Sequence, residues 1–350
     1  MKALVMTAPR TVELDELPTP TLGEDEILIH IRACGICMND MRDYSGNCTY
    51  SYPRIGGHEF VGDIEAIGKN VNHYHDRFHI GQRVVSYIID NCGQCYQCKN
   101  GLENVCPDFA HTDTYQNPGG ISGFKGFAQY YVAKASDVYI CSDEIPYEQL
   151  AMVEPMACVL TAINRGNPQF GDDTLIIGGG SMGMMFILLC KLRGVRVIVS
   201  EPRAERRAKA LELGADLVID PMSCDVKEEI MRITDGVGVQ TVFDTLEIPQ
   251  LALQAVECAS VGGTVVLYSS MHPNTPMPLD LGKIHTMQKT LAGIQNGSLK
   301  TFWQAVQLLN KKIVDISPVV DRVFDYKDID AAMEYAMRPD TYKVVIRITD

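Results

Sequence analysis

The sequence predicts an α/β protein in which a β-rich domain accompanies a doubly wound parallel sheet. Three observations carry this. The chain has 350 residues, and one core rarely serves more than about 250–300. Its first 150 or so residues read as short strands broken by glycine and proline. From about 155 to 295 strands alternate with helices, the pattern of a parallel sheet covered on both faces. The expected divisions are residues 1–153, 154–295 and 296–350.

In the first part, EILIHIRACG and RVVSYII are rich in β-formers, and strong helical periodicity is scarce. The second part begins with TLIIGG, a buried type of strand, and an apolar helix from about Met182 to Leu192. VRVIVS is the next strand, followed by the amphipathic helix RAERRAKALELG, which Gly214 stops. VQTVFDT, GTVVLYS and TLAGIQ are further strands. The last part opens with a helix, LKTFWQAVQLLNKK, and ends in the extended YKVVIRI.

Composition narrows the function. The chain is 46% hydrophobic and 21% charged, ordinary for a globular protein. Its net charge of −13 argues against nucleic acid or an anionic membrane as partner. The start, MKALVMTAPRTVELDE, has no secretory apolar region, and no apolar run is of membrane-spanning length. A cytoplasmic location is expected. In that setting the 12 cysteines point to metal or chemistry rather than disulfides. Cys34, Cys37, Cys48, Cys92, Cys95, Cys98 and Cys106 fall in the first third, while Cys141, Cys158, Cys190, Cys224 and Cys258 are scattered and read as small buried hydrophobes.

The segment LIIGGGSMGMM contains G-x-G-x-x-G as Gly178, Gly180 and Gly183, between a strand and a helix. In that context the glycines permit a tight turn, approach of a pyrophosphate and close helix–strand packing. The helix N-terminus then offers unpaired N–H groups to phosphate. Glu201 ends the next strand, where an acidic residue binds the adenosine ribose diol and disfavours a 2′-phosphate. NAD is therefore expected over NADP, although Arg203, Arg206 and Arg207 follow closely.

NCGQCYQCKNGLENVC spaces Cys92, Cys95, Cys98 and Cys106 as C-x2-C-x2-C-x7-C. Four thiolates enclose Zn²⁺ with no open position, which makes a structural site; iron–sulfur clusters also take four cysteines, but not at this spacing. ACGICMND holds Cys34 and Cys37 in a C-x-x-C pair that fits a redox dithiol, half a zinc site or two packed thiols. GGHEF adds His58 and Glu59, and MVEPMA adds Glu154 in apolar surroundings where a carboxylate needs a cationic partner. Cys, His and Glu are all competent zinc ligands, and a catalytic site has three protein ligands and one exchangeable position.

In order, G-I-C-x-x-D, G-H-E, the four-cysteine loop, E-P and the glycine fingerprint resemble the zinc-dependent medium-chain dehydrogenase/reductase family, in particular its sorbitol and polyol dehydrogenase-like branch. The resemblance spans essentially the whole chain. It implies a GroES-like catalytic domain formed from both chain ends, with a structural zinc lobe at about 90–108, and an inserted Rossmann domain, the active site lying between them. It implies two zinc ions per chain: a catalytic one held by Cys37, His58 and either Glu59 or Glu154, and a structural one held by the four-cysteine lobe. Cys34 would not be a ligand, and Asp40 would support the site from behind. Gly178, Gly180, Met182, Gly183, Glu201 and Arg206 would contact NAD, the substrate would be a small alcohol or carbonyl compound, and the assembly a homodimer or homotetramer.

Two positions depart from the family pattern. Many relatives carry Ser or Thr two residues after the zinc cysteine, as a proton relay; here that residue is Asn39, an amide that hydrogen-bonds without relaying a proton in the same way. Water near Glu59, or Tyr44, is the expected alternative route. Sorbitol dehydrogenases carry an Arg–aromatic pair where this chain has Gln295 and Asn296, so a sugar alcohol, a sugar acid or a smaller secondary alcohol is expected instead of sorbitol. A zinc-independent reductase and an inactive nucleotide-binding protein are the competing readings; the presence together of Cys37, His58 and Glu59 argues against both.

Overall fold

The structure is a computed structural model that describes residues 1–47, 51–73, 75–109 and 120–348; Cys48 lies outside them. It divides into two compact units, Met1–Ala157 with Gly297–Asp350, and Cys158–Asn296. The first division falls inside a helix, Val153–Gly166.

The first unit is built on a sheet ordered Val320–Asp325, Lys343–Arg347, Glu26–Gly35, Glu59–Ile67, Arg83–Ser86 and Val138–Ile140, with Tyr130–Lys134 also paired to Glu26–Gly35. Ile27, Ile29, Ile64, Val84 and Val138 pack one core here. The register matters for function. Gly35 lies opposite Glu59 on one side and Val345 on the other. The last strand of the chain is thereby laid beside the first half's metal-ligand candidates, more than 280 residues away in sequence.

The second unit is a six-stranded, all-parallel sheet. Its strands run Leu217–Ile219, Arg196–Ser200, Asp173–Ile177, Val239–Asp244, Ala259–Leu267 and Thr290–Gly293 across the sheet. Numbered within the unit this is 3-2-1-4-5-6, the Rossmann order, with the strand order reversing beside Asp173–Ile177. Strands covered on both faces must be apolar throughout, and Leu175, Ile177, Ile198, Val242 and Val265 are all buried. The helix Ser181–Lys191 is buried along most of its length, whereas Ala204–Glu212 buries only Ala210 and halts before Gly214, at φ +100. Cys141, Cys190 and Cys258 are buried and Cys158 is half-buried. Cys224 is exposed, against expectation: it lies in the turn between Leu217–Ile219 and the helix Val226–Ile233, outside any packed face. Among the described residues, no helix is long and apolar enough to cross a membrane.

Candidate metal centre and nucleotide loop

Cys37 sits at the N-cap of the helix Met38–Ser45, in extended conformation. Asp40, three residues into the turn, is buried and its carboxylate is used at both ends. One oxygen accepts from the Cys37 N–H at 2.9 Å and the other from the Gly57 N–H at 2.8 Å. It thus ties the cysteine's turn to the loop that carries His58. Gly57 has φ +80, and a Cβ there would strike Phe127 and the Cys34 sulfur. Only glycine delivers His58 and Glu59 at this spot.

The Cys37 thiol, the His58 ring and the Glu59 carboxylate place ligand atoms within 4.8 Å of one another. His58 is buried, packs on Phe124 with ring centroids 5.1 Å apart, and its Nδ1 has no hydrogen-bond partner. Burial alone would lower its pKa. The charge and hydrogen bond of Cys37, with Asp40 and Glu154, outweigh burial and hold it well above the usual imidazole value. Such an anionic surrounding calls for a cation. Sulfur, nitrogen and carboxylate donors together suit zinc, so the residues fit the ion.

Glu59 is the more constrained of the two glutamates. It is 1% exposed, and its Oε1 is ion-paired with the Lys343 ammonium, which also donates to the Ile36 carbonyl at 3.3 Å. Its Oε2 is buried with no hydrogen-bond partner, in space that a Cβ on Gly35 would occupy. Burial presses the Lys343 pKa down, but Glu59, with Cys37 and Glu154, carries it above its ordinary value. Glu154, at the start of Val153–Gly166, is close enough for its charge to act on His58 and Lys343. It is not among the atoms that lie within 4.8 Å of one another. The Glu59 carboxylate, and not that of Glu154, belongs to the group of ligand atoms that the structure draws together.

Cys34 is buried beside this centre, its pKa pushed up by burial and by the neighbouring carboxylates of Asp40 and Glu59. It is not in the donor group. The Tyr44 hydroxyl lies 3.5 Å from Glu334, with Asp330 and Arg10 around it. The helix Met38–Ser45 carries Tyr44 almost two turns beyond Cys37, toward the helix Ile329–Ala336. Asn39 is exposed and accepts from Arg42 at 3.2 Å.

The four remaining metal candidates form a separate cluster. Cys92–Cys98, Cys95–Cys106 and Cys92–Cys106 sulfurs lie 4.0, 3.8 and 3.7 Å apart. A tetrahedron with Zn–S bonds of about 2.3 Å requires edges of about 3.8 Å, so the lobe has the dimensions of a closed zinc site.

In the second unit, Gly178 turns the chain at φ +104. A Cβ on Gly183 would collide with the Gly178 carbonyl, so the third glycine lets the helix approach its own loop. Gly180 caps Ser181–Lys191 without a side chain, which leaves the N–H groups of the first turn for a ligand. Glu201 is buried; its oxygens accept from the Gly179 N–H at 2.7 Å and the Arg203 N–H at 2.9 Å, with Arg206 4.0 Å away. The Met182 sulfur accepts from the Tyr268 hydroxyl at 3.2 Å. Sequence reasoning missed Lys343. The available signal was a cation opening the strand KVVIR ahead of three apolar residues, but nothing local connects it to residue 59.

Comparison with known proteins agrees with this geometry. Residues 23–143 match the alcohol dehydrogenase GroES-like domain, and residues 181–311 the zinc-binding dehydrogenase domain. Sorbitol dehydrogenase of Bacillus subtilis (strain 168) is 31% identical, over 97% of this chain and 94% of its own. L-threonine 3-dehydrogenase of Pyrococcus furiosus is 31% identical over 99% of both. D-arabitol-phosphate dehydrogenase of Enterococcus avium is 27% identical over 95% and 92%. Among solved structures, a zinc-binding dehydrogenase from Sinorhizobium meliloti 1021 bound to NADP superposes with TM-score 0.88 at 25% identity, over 99% of this chain and 98% of that one.

Proposed function

The chain belongs to the zinc-dependent medium-chain dehydrogenase/reductase family and is an alcohol or polyol oxidoreductase; from that premise we propose that it oxidises a secondary alcohol group of a polyol, sugar alcohol or sugar acid with NAD. The reaction converts the alcohol and NAD⁺ into a ketone, NADH and a proton. The observation that carries the reading is the trio of Cys37, His58 and Glu59, held as one donor set by Asp40 and Lys343.

Zinc at this trio would supply Lewis acidity toward the alcohol oxygen. Asp40 holds the Cys37 turn against the His58 loop, so the thiolate and imidazole keep their geometry without rearrangement. Lys343 holds one oxygen of Glu59, which leaves the other as the donor. The thiols at 92, 95, 98 and 106 hold a second, structural zinc. Gly178, Gly180, Met182 and Gly183 receive the pyrophosphate, and Arg206 flanks the adenosine end. Glu201 supports NAD over NADP: it is fixed by two backbone N–H groups, and a buried carboxylate there repels a 2′-phosphate. A cytoplasmic homodimer or homotetramer is proposed alongside; the eleven free cysteines among the described residues suit a reducing compartment.

The test is a zinc count together with a screen of NAD reduction over polyols, sugar acids and simple secondary alcohols, with NADP in parallel. Two zinc ions per chain and NAD-dependent oxidation are expected. One zinc, confined to the four-cysteine lobe, would defeat the proposal.

A further inference from the structure

The second unit holds a cavity that neither the metal centre nor the pyrophosphate loop accounts for. Its volume is about 260 Å³. It lies where the fourth and fifth strands of the parallel sheet end, since Asp244 closes Val239–Asp244 and Leu267 closes Ala259–Leu267. Leu246, Met277, Ser269 and Asn274 also line it. The cavity adjoins the glycine turn: a Cβ on Gly178 would meet the Thr245 hydroxyl and the Leu246 side chain. Thr245 is pinned there. Its hydroxyl donates to the Ile177 carbonyl at 2.7 Å, and its own carbonyl accepts from the Ser269 hydroxyl at 2.7 Å. Asp244 is 2% exposed, and its Oδ1 accepts from the Leu246 N–H at 3.2 Å. Among the described residues, no lysine, arginine or histidine lines the cavity. Burial raises the Asp244 pKa to about 6, so above neutral pH the side chain is a buried anion, and the cavity walls offer it no cation.

We propose that Asp244 selects the oxidised over the reduced nicotinamide cofactor, its carboxylate facing the nicotinamide ring from this cavity. This rests on the dinucleotide reading above. A Rossmann sheet binds one mononucleotide on each half. Glu201, which follows the second strand, marks the adenosine half, so the nicotinamide half falls to the ends of the fourth and fifth strands. There the two redox states differ by one charge. The ring of NAD⁺ is a cation, and after it takes the hydride the ring of NADH is neutral. A buried carboxylate without a counter-ion attracts the first and gains nothing from the second. One such charge–charge contact, partly screened, amounts to roughly tenfold in affinity. In the direction of alcohol oxidation the product cofactor is then the one held more weakly, which eases its release.

The experiment titrates the zinc-loaded chain with NAD⁺, NADH and ADP-ribose by calorimetry, at a pH about two units above the Asp244 pKa. ADP-ribose lacks the nicotinamide ring and reports on the adenosine half alone. Asp244→Asn keeps the side chain's shape and an acceptor for the Leu246 N–H while removing the charge. It should weaken NAD⁺ about tenfold and leave NADH and ADP-ribose within about twofold. Asn274→Asp adds a second carboxylate to the same cavity and should raise the preference for NAD⁺ over NADH. That gain should be only about two- to threefold, because residue 274 is exposed and its charge is screened. A preference unchanged by Asp244→Asn, a loss shared equally by NADH or ADP-ribose, or no gain from Asn274→Asp would each overturn the assignment. The last of these decides the matter even where Asp244→Asn fails to fold. A wild-type chain that bound none of the three ligands would instead strike the dinucleotide reading beneath it, and the wild-type titrations separate the two failures.

Discussion

Lys343→Met tests the central electrostatic arrangement. The ammonium and the Glu59 carboxylate are 6% and 1% exposed, so removing one partner leaves the other charge buried without compensation. Breaking such a pair costs about 3–5 kcal/mol. At about 2–4 °C per kcal/mol for a unit of this size, the unfolding midpoint should fall by roughly 6–20 °C. Zinc at Cys37 and His58 adds a cation beside the same carboxylate. Chelation should therefore lower the midpoint more in the variant than in the wild type. The assay is thermal unfolding of wild type, Lys343→Met, Glu59→Gln and the double variant, each with zinc and with chelator. Because the double variant removes both charges, its loss should be at least about 2 kcal/mol smaller than the sum of the single losses. Losses that add within about 0.5 kcal/mol would refute the coupling, and with it the argument that Lys343 holds Glu59.

Three other outcomes are expected. Asp40→Ala removes the acceptor of two backbone N–H groups; zinc at the Cys37 centre should bind about 10–100-fold more weakly, read by competition with a chromophoric chelator, while the four-cysteine lobe stays filled. Cys98→Ser should remove one zinc per chain and leave the other, as elemental analysis would show; loss of both would mean the centres are not independent. Asp244, in the second unit, lines a cavity of about 260 Å³ with Leu246, Ser269 and Asn274, and burial raises its pKa from 3.8 to about 6. The folded chain thus binds this proton more tightly than the unfolded one, so its contribution is fully present below pH about 4 and is lost as pH rises through about 6. The loss amounts to roughly 3 kcal/mol. Asp244→Asn should flatten the unfolding midpoint across that window, and an unchanged pH slope would contradict the assignment.

Much of the fold was legible because its signals are local. The strands Asp173–Ile177 and Arg196–Ser200 are rich in Val, Ile and Leu, and the turn from the first of them into its helix falls at Gly178, whose φ of +104 favours glycine. The four-cysteine lobe was legible for the same reason: its sulfurs lie within 15 residues of sequence and end within 4.8 Å of one another. Cys37, His58 and Glu59 were recognisable as donor types, and Asp40 as their support.

By itself, then, the sequence determined the secondary-structure alternation, the nucleotide loop, the closed thiol cluster and the chemical kinds of donor. Each of these depends on neighbours a few residues apart. Only the tertiary structure grouped Glu59 rather than Glu154 with Cys37 and His58, turned Tyr44 toward Glu334, and brought Lys343 from the last strand onto Glu59. Those outcomes depend on the register across Gly35, which aligns Glu59 with the C-terminal strand. A one-residue slip would send those side chains to the opposite face. Periodicity predicts that each strand exists; which strand lies beside it is settled by burial of the whole sheet.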